Sequence, residues 1–471
     1  MTYPKTATRK RQRSGNGKRL FGTSGIRGVV GQDLSTGLCL EAAQAIGTTL
    51  APHSRVCIAT DTRLSRETIK RVVIAGLRFS GIDVTDLGVL PTPALAFLTS
   101  NMGFDTGVMV TASHNPPQFN GIKLFNGNCL GYSKEQEAEI EKVYFKNGFR
   151  IDCLGNLEQS QEGKERYFRF MQNRFPRRCL NHNLRIVVDP GNGAASGFAR
   201  ELFSTLGFEV IPLNDEPDGR FPRRNPEPRE DTLEGTIRFT RQQNADLAVC
   251  FDGDADRVVF CDGEGFLGFN EPIAFICRLV IEQNKGTQPR RVATSVETGR
   301  IVDLALRDLD VEVVRGEVGD VSIAYLAKEI NAPIGVEEAG VYIIPEQGYY
   351  PDSFFATLTL LSRINDPGEI RDLFKDIPRL TFRKTKVPCP EEFKEVVMEA
   401  VEESASSFGT NEINTIDGLR FEFGDSWMLI RASGTEPVIR VTAEAISSSK
   451  AEALLRAGTK AVEESLRGLR P

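Results

Sequence analysis

The sequence predicts an α/β protein composed of three α/β units with mixed sheets and one smaller α+β unit at its C-terminal end. Its 471 residues are enough for about three or four domains. Continuous runs of β-branched residues alternate with helical patterns along most of the chain, which is typical of buried strands in mixed or parallel sheets. Three strand patterns follow one another near the C-terminus before a closing helix, and this meander indicates the separate α+β unit.

The apolar runs also predict individual elements. An amphipathic pattern predicts a helix over residues 65–79, and turn-rich stretches near residues 155, 262–268 and 388–390 indicate domain boundaries. Strands are predicted at residues 55–60, 107–111, 185–189, 247–251, 291–296, 311–315, 419–423, 427–431 and 438–443. The predicted organisation is a basic disordered tail at residues 1–19, followed by units at 20–155, 156–265, 266–385 and 386–471.

The distribution of charge limits the classes of partner. Residues 1–19 contain Lys and Arg but no acid, whereas the whole chain has a net charge of −6, so the body is acidic. A basic, acid-poor start is compatible with a targeting or nucleic-acid-binding tail, but we favour a solvated, disordered extension. The acidic body argues against nucleic acid as the main ligand. Since no apolar stretch approaches the roughly 18 residues of a membrane helix, no membrane partner is expected.

The cysteines and histidines exclude several kinds of site. Nine cysteines are scattered without a C-x-x-C motif, and the sequence has three histidines. These residues argue against a zinc ribbon, a disulfide framework and a multi-histidine metal site. They predict buried thiols in a reducing, cytoplasmic environment.

The segment TASHNPP (residues 111–117) follows a predicted strand and is the first candidate site. A serine on a tight loop at the carboxyl end of a strand is exposed where α/β proteins usually react. The segment is not the hydrolase motif G-x-S-x-G, and the few histidines make a Ser-His-Asp triad hard to assemble. Ser113 could instead accept a phosphoryl group. The alternative is a turn that is closed by a hydroxyl and has no chemical role.

The segment DGDADR (residues 252–257) also follows a predicted strand. Its three carboxylates alternate along the chain, and on an extended chain they would point to one side and repel one another unless a cation lay among them. Hard oxygen ligands with room for water and phosphate suit Mg²⁺. An EF-hand loop is excluded because Arg257 and Gly263 occupy its glycine and glutamate positions. A solvated acidic turn is the remaining alternative.

The segment RASGTEPVIR (residues 431–440) combines small residues, hydroxyls and two arginines, a composition that favours phosphate binding. The alternative is a helix capping box between Ser433 and Glu436, but Pro437 and the following β-branched run predict a strand. The segments FGTSGIRG (residues 21–28) and GVEEAG (residues 335–340) are weaker signals, and each taken alone is more typical of an ordinary turn.

Together these five segments resemble the α-D-phosphohexomutase superfamily, which includes phosphoglucomutase, phosphomannomutase and phosphoglucosamine mutase. The resemblance extends from about Leu20 to about Ala445, and the motifs occur in the family's order. It implies four domains around a central cleft and a Mg²⁺-dependent enzyme that interconverts hexose 1-phosphates and 6-phosphates. Ser113 would carry a phosphoryl group, and a hexose 1,6-bisphosphate would be both intermediate and primer.

The same resemblance assigns roles to individual residues. One Mg²⁺ per active site would be held by Asp252, Asp254, Asp256 and a phosphoserine oxygen of Ser113. The catalytic group would comprise Ser113, His114, Arg27, Lys123 and Arg257. The non-reacting phosphate of the hexose phosphate substrate would be bound by Arg431, Ser433, Gly434, Thr435 and Arg440.

The sugar-recognition loop departs from the family's pattern. Glu337 matches the acid that contacts sugar hydroxyls, but Val336 replaces a glycine and Ala339 replaces a polar residue. We therefore expect complete phosphoryl-transfer chemistry with altered sugar recognition, and glucosamine phosphate is the expected substrate. The alternatives are glucose or mannose phosphate, a catalytically degenerate paralogue that only binds sugar phosphate, and a phosphatase. The sequence makes no prediction of the oligomeric state.

Overall fold

The computed structural model describes residues 19–469 except positions 23, 152, 153, 285, 287–289, 367, 369, 411 and 435. The predicted basic tail, apart from Arg19, and the predicted phosphate ligand Thr435 therefore lie outside the described residues. Thirteen α-helices and four sheets are present in the part described. No helix in these residues is long and apolar enough to cross a membrane.

The first sheet has six strands in the order β1-β5-β4-β2-β3-β6. Its strands are β1 (Ile26–Val29), β2 (Arg55–Thr60), β3 (Asp83–Val89), β4 (Thr106–Val110), β5 (Phe119–Asn126) and β6 (Leu157–Gln159). The helices of this unit are α1 (Thr36–Thr49), α2 (Arg66–Phe79), α3 (Thr92–Asn101) and α4 (Lys134–Lys146). β2 pairs in parallel with β3 and β4, whereas β5 is antiparallel to β1 and β4, so the sheet is mixed.

The second and third sheets have four strands each, in the orders β10-β9-β7-β8 and β12-β11-β13-β14. Helix α5 (Gly163–Arg174) precedes the second unit, which contains β7 (Arg185–Asp189), α6 (Phe198–Thr205), β8 (Glu209–Pro212), α7 (Glu234–Gln242), β9 (Leu247–Phe251) and β10 (Val258–Cys261). The third contains α8 (Asn270–Gln283), β11 (Arg291–Ser295), α9 (Ile301–Leu306), β12 (Glu312–Gly316), α10 (Asp320–Glu329), β13 (Gly335–Glu337), β14 (Val341–Ile343) and α11 (Ser353–Leu361). Each sheet has one antiparallel edge strand, β10 or β14.

The fourth sheet is antiparallel, in the order β15-β19-β18-β17-β16. Its elements are β15 (Thr381–Pro388), α12 (Lys394–Glu403), β16 (Ile413–Asn414), β17 (Leu419–Glu422), β18 (Trp427–Ala432), β19 (Val438–Ala445) and α13 (Ser448–Leu469). The predicted fold class, with three mixed α/β units and a smaller C-terminal α+β unit, is confirmed.

Two strands cross the boundaries that the sequence predicts between domains. β6 begins after the predicted end of the first unit, yet it pairs with β3 of the first sheet. β15 begins before the predicted start of the fourth unit, yet it pairs with β19 from Thr381 to Pro388. We therefore propose that the first unit extends to about residue 159 and that the fourth begins at about residue 381.

The core explains why the cysteines are scattered through the sequence. The largest apolar cluster runs from the first sheet through the second to the third, and α11 is buried along its whole length. All eight described cysteines are free, and seven of them are buried. The seven buried cysteines occupy core positions as small apolar side chains do.

Candidate functional site

Ser113 lies in a turn that follows the interior strand β4, at the carboxyl end of that strand. It is buried, and its φ of +49° lies in the left-handed region that residues other than glycine rarely adopt. Its Oγ donates a hydrogen bond of 2.8 Å to Asp252 Oδ2 and lies 3.3 Å from His114 Nδ1. A hydroxyl-closed turn does occur here, but its acceptor is Thr111 Oγ1, which is 2.9 Å from the Ser113 amide. The Ser113 hydroxyl is therefore directed across to the second domain.

Arg63, which the sequence did not single out, holds the serine loop in place. It is fully buried, its Nε lies 2.9 Å from Asp61 Oδ2, and its guanidinium donates four hydrogen bonds of 2.6–2.9 Å to main-chain oxygens. The acceptors are the carbonyl oxygens of Ser113, Asn115, Pro116 and Phe119. Its position directly after β2 was the available signal, because side chains in turns at the carboxyl edge of a sheet line α/β sites.

The acidic loop brings Asp252, Asp254 and Asp256 together. One carboxylate oxygen from each lies within 4.8 Å of the others, and all three residues are buried. The prediction that they converge because they alternate along an extended chain is wrong. Residues 253–256 form a turn between antiparallel β9 and β10, and Ala255 has a φ of +59°. The turn, and not strand periodicity, directs the carboxylates inward.

The electrostatics of this loop fit a divalent cation. Burial raises the pKa of Asp252 well above its ordinary value, and the neighbouring carboxylates of Asp256 and Asp254 raise it further. Burial and Asp254 likewise raise the pKa of Asp256. Asp254 Oδ1 and Asp256 Oδ1 are buried without a hydrogen-bond partner among the described residues. Such oxygens are ligands that Mg²⁺ prefers.

The serine loop and the acidic loop are in close contact. A Cβ atom at Gly253 would lie 2.5 Å from the Ser113 carbonyl oxygen, so a side chain there would separate the loops. Thr92, at the start of α3, donates from its hydroxyl to Asp254 Oδ2 at 2.6 Å and from its amide to the Asp254 carbonyl at 2.9 Å. The relative position of the two loops is therefore fixed by main-chain and buried side-chain contacts.

Three cations of the predicted catalytic group surround the acidic loop. Lys123 Nζ lies 3.0 Å from Asp256 Oδ2 and 2.8 Å from Asp320 Oδ2. Burial alone would lower the pKa of Lys123, but Asp320 and Asp256 raise it by more, so the lysine is protonated. Arg257 Nε lies 3.9 Å from Asp256 Oδ1. Arg27 donates a hydrogen bond of 3.2 Å to Asn115 Oδ1 in the serine loop.

His114 is a neutral group within this cationic set. Arg257, burial and Arg27 lower its pKa well below the ordinary value, so its imidazole is uncharged at neutral pH. Arg440 of β19 also contributes to this effect. A cation of the fourth domain therefore acts on the serine loop of the first.

Glu337, the predicted sugar ligand, ends β13 and is buried. Its Oε1 accepts a hydrogen bond of 2.8 Å from the Gly319 amide, and burial raises its pKa to about 7. The following turn is tied to the start of β10, directly after the acidic loop, because the Val258 amide donates to the Gly340 carbonyl at 3.1 Å. Gly340 has a φ of +83°, and a Cβ atom there would lie 2.1 Å from the Val258 carbonyl oxygen, so this position requires glycine.

The arginines of the predicted phosphate loop are paired with acids. Arg431 Nε donates to Asp417 Oδ2 at 2.8 Å, and Arg440 donates to Glu436 Oε2 at 2.8 Å. Ser433 Oγ accepts from the Glu436 amide at 3.2 Å, which is half of a capping box, but strand β19 follows and no helix begins here. Gly434 is exposed at the tip of the loop.

Lys394 and Lys384 are further cations that sequence reasoning missed. Lys394 is buried under the phosphate loop and donates to the carbonyl oxygens of Ser433 and Glu436 at 2.6 and 2.8 Å. Lys384 of β15 pairs with Glu297 at 2.8 Å and with Glu338. Glu338 therefore connects the third domain to the fourth, whereas its sequence context is typical of a solvent-exposed turn. Both lysines were hard to find because the partners that tie them to the site are about 40 or more residues away in sequence.

The sequence matches the models of all four domains of one family. The phosphoglucomutase/phosphomannomutase alpha/beta/alpha domains I, II and III match residues 18–151, 165–265 and 270–380, and the C-terminal domain matches residues 385–459. The chain belongs to the phosphoglucomutase/phosphomannomutase family.

Two relatives and one solved structure of this family are similar to this chain over nearly its whole length. A protein of Methanopyrus kandleri named "Probable phosphoglucosamine mutase" is 39% identical and covers 93% of this chain and 96% of its own length. A Thermococcus kodakarensis protein named "Phosphoglucomutase/phosphomannomutase" is 36% identical and covers 96% of this chain and 100% of its own length. The crystal structure of a phosphoglucomutase/phosphomannomutase family protein from Burkholderia thailandensis superposes with a TM-score of 0.82 at 26% identity and covers 94% of this chain and 97% of its own.

Membership in the phosphoglucomutase/phosphomannomutase family confirms two predictions. The predicted resemblance to the α-D-phosphohexomutases is correct, and the protein is an enzyme of the isomerase class, a phosphohexomutase. The assignment of individual residues to catalysis, metal binding and phosphate binding stays a prediction.

Proposed function

We propose that this phosphohexomutase transfers a phosphoryl group between Ser113 and a hexose phosphate through a 1,6-bisphosphate intermediate that also serves as primer. The observation that carries the proposal is the 2.8 Å contact between the Ser113 hydroxyl and Asp252, at the point where the serine loop meets three buried carboxylates. A nucleophilic oxygen beside an acidic cluster, surrounded by fixed cations, is the arrangement that phosphoryl transfer requires.

Asp252, Asp254 and Asp256 would hold one Mg²⁺ together with an oxygen of the phosphorylated Ser113. Two of their buried carboxylate oxygens have no hydrogen-bond partner in the described part of the chain, which supports this assignment. When bound, Mg²⁺ would stabilise negative charge on the transferring phosphoryl group.

The surrounding side chains would position the phosphoryl group and neutralise its charge. Lys123, Arg27 and Arg257 carry positive charge close to the serine and acidic loops. Arg63 would keep the Ser113 hydroxyl in position, because it holds the main-chain carbonyl oxygens of Ser113 and Asn115. Such preorganised charge lowers the barrier without moving during the reaction.

The non-reacting phosphate would be bound by the loop that contains Arg431, Ser433, Gly434, Thr435 and Arg440. Both arginines pair with partly exposed acids, and a dianionic phosphate would exchange with these acids as their partner. Glu337 would accept hydrogen bonds from sugar hydroxyls. A remote phosphate anchor allows binding energy to orient either end of a bisphosphate.

Glucosamine phosphate is the substrate that we propose. Relatives named "Probable phosphoglucosamine mutase" match this chain at 39% and 38% identity over nearly its full length. The second candidate is glucose or mannose phosphate, which is favoured by the Thermococcus kodakarensis relative at 36% identity. A cytoplasmic site of action is also proposed, in keeping with the free cysteines.

The test is an assay of the purified protein with Mg²⁺ and a hexose 1,6-bisphosphate. Glucosamine, glucose, mannose and N-acetylglucosamine 1-phosphates are supplied separately, and both the 6-phosphate product and inorganic phosphate are measured. We expect the highest kcat/KM for glucosamine 1-phosphate and loss of activity after chelation of the metal. Preference for glucose or mannose 1-phosphate would replace the proposed substrate by the second candidate.

Two further outcomes of this assay would contradict mutase activity. Release of inorganic phosphate without a 6-phosphate product would indicate a phosphatase. Thermal stabilisation by a hexose phosphate without turnover would indicate a catalytically degenerate binding protein.

A further inference from the structure

A groove of about 890 Å³ lies between the first and second domains. Among the residues that the structure describes, none of those predicted to act in catalysis, metal binding, sugar binding or phosphate binding lines it. Its walls come from the turn after β2, the end of β3, the start of α5 and helix α6. The volume lies within the range of sites that bind small metabolites.

Arg66 distinguishes this groove from an ordinary polar crevice. The other cations of its lining are matched, because Lys164 pairs with Glu201 at 2.9 Å and Arg200 pairs with Asp215 at 3.2 Å. Arg66 forms no ion pair among the described residues, and one of its terminal nitrogens donates to the carbonyl oxygens of Thr62 at 3.0 Å and Arg63 at 3.4 Å. Its Nε is buried without a hydrogen-bond partner in the same part of the chain. A partly buried guanidinium with unused donors favours a carboxylate or phosphate oxygen.

The remainder of the groove suits a compact apolar group beside this charge. Val89, which is 43% exposed, and the largely buried Leu87, Leu90 and Phe198 contribute apolar surface. The buried Oγ of Ser196 is without a partner among the described residues. Most ligand sites have this composition, in which a mainly apolar wall contains a few polar groups that fix orientation.

We propose that this groove binds a small metabolite that carries a phosphate or carboxylate group on a compact apolar body. Arg66 would hold the oxyanion, and the apolar wall would cover the rest of the ligand. The site is distinct from the one that binds the hexose phosphate.

An occupant of this groove would be coupled to the acidic loop. Leu90 on one wall is two residues before Thr92, which contacts Asp254 at 2.6 Å, and Ala194 on the other wall donates to the Gly253 carbonyl oxygen at 2.9 Å. Both walls are therefore fastened to the loop that carries the three carboxylates. If either wall moves when the groove is occupied, the three carboxylates of the acidic loop would shift. We expect this to change kcat more than KM.

The binding test uses the full-length protein and calorimetric titration with three probes. Phenyl phosphate and benzoate carry the two candidate oxyanions, and benzyl alcohol is the neutral control. We expect one or both anions to bind, with an affinity unchanged when the cleft is saturated with a hexose 6-phosphate. Displacement by the hexose phosphate, or equal binding of benzyl alcohol, would overturn the proposal.

Variants then localise the site. Arg66→Gln should weaken binding of the anion at least about tenfold, whereas Arg71→Gln, an exposed position on the same helix, should leave it unchanged. Ser204→Trp, at an exposed position of the lining, should block the groove without disturbing the core. Unchanged binding in both Arg66→Gln and Ser204→Trp would reject the site.

A kinetic measurement tests the coupling to the acidic loop. At saturating hexose phosphate, the bound anion should change kcat in the wild type and have no effect in Arg66→Gln. An unchanged kcat in the wild type would reject the coupling. Because the titrations need no turnover, they remain decisive if the proposed mutase activity fails.

Discussion

The serine and acidic loops differ from the phosphate loop in how each holds its charges. At the first two loops, Arg63 and Asp61 are fully buried, and their contacts are supplemented by main-chain oxygens. At the phosphate loop, buried Lys394 supports the main chain, but the charged pair Arg440–Glu436 is 33% and 41% exposed and is a contact between side chains alone. Buried networks are rigid and costly to break, whereas exposed ion pairs contribute about 0–1 kcal/mol.

This difference has a consequence for the proposed reaction. The transferring phosphoryl group needs fixed partners, because misplacement by about 1 Å can cost on the order of a hundredfold in rate. The remote phosphate needs partners that accept it and release it, since either end of a bisphosphate must occupy the same loop. In a weak, exposed ion pair, a competing anion such as phosphate readily replaces the acid. The serine and acidic loops are therefore rigid, whereas the phosphate loop can bind and release its anion.

The largest effect on activity is expected for Ser113→Ala, which removes the proposed nucleophile from the rigid serine loop. Interconversion of hexose phosphates should fall on the order of 10⁴-fold or more, because the other residues cannot replace the attacking oxygen. The unfolding free energy should change by about 1 kcal/mol or less, since one hydrogen bond to Asp252 is lost. Product assays and urea titrations measure both quantities.

The matched control is Ser404→Ala in the fourth domain, where the hydroxyl bonds to the Val401 carbonyl oxygen of its own helix. It should retain wild-type activity. Full activity in Ser113→Ala would show that this serine does not carry the phosphoryl group.

Arg63→Met tests whether the rigid region depends on its buried arginine. The substitution leaves Asp61 as an unpaired buried carboxylate and removes the donors of several carbonyl oxygens, so we expect a loss of about 3–5 kcal/mol in unfolding free energy. Chemical denaturation measures it, and kcat should fall as the serine loop loosens. Arg71→Met, at a position that is 80% exposed, should cost about 0.5 kcal/mol or less. Equal stability of the two variants would mean that Arg63 is not the support of the loop.

The positions of the site were predictable, but its internal supports were not. Ser113 and the three aspartates follow strands whose apolar runs are readable from sequence, and loops at strand ends are where α/β proteins place reactive groups. Arg63 contacts carbonyl oxygens about fifty residues away, and Lys123 pairs with Asp320 almost two hundred residues away. Main-chain acceptors leave no trace in side-chain identity, so the Arg63 contacts become visible only once the first domain is folded. The Lys123–Asp320 pair becomes visible only once the first and third domains are assembled.

The corresponding change at the phosphate loop is Arg440→Met. It should raise KM for the hexose phosphate about 10- to 100-fold, because a charge-assisted contact to phosphate is lost. The unfolding free energy should fall by less than about 1 kcal/mol, since the pair with Glu436 is exposed. Steady-state kinetics and denaturation together give the contrast with Arg63→Met. Arg456→Met on the exposed face of α13 is the control. A large loss of stability in Arg440→Met would contradict the division between the two regions.

The smallest effect is expected from the titration of Glu337 at the end of β13. Burial raises its pKa to about 7, so the carboxyl group is mostly protonated at pH 6 and mostly ionised at pH 8. If the ionised form accepts hydrogen bonds from sugar hydroxyls, KM should fall by up to about tenfold between these pH values. Glu337→Gln should flatten this dependence, whereas Glu346→Gln, at an exposed position, should preserve it.

The pH dependence of the unfolding free energy provides a second measurement on Glu337, and the direction of the change can be predicted. An acid whose folded pKa lies above the unfolded value binds its proton more tightly in the fold, so its stabilising contribution is complete below about pH 4.5 and is lost as pH rises through about 7. The unfolding free energy of the wild type should therefore decline relative to Glu337→Gln over this interval. A pH-dependent KM without this decline would place the titrating group elsewhere in the cleft. Both effects together would show that Glu337 is the group that titrates near pH 7 and that its ionised form lowers KM.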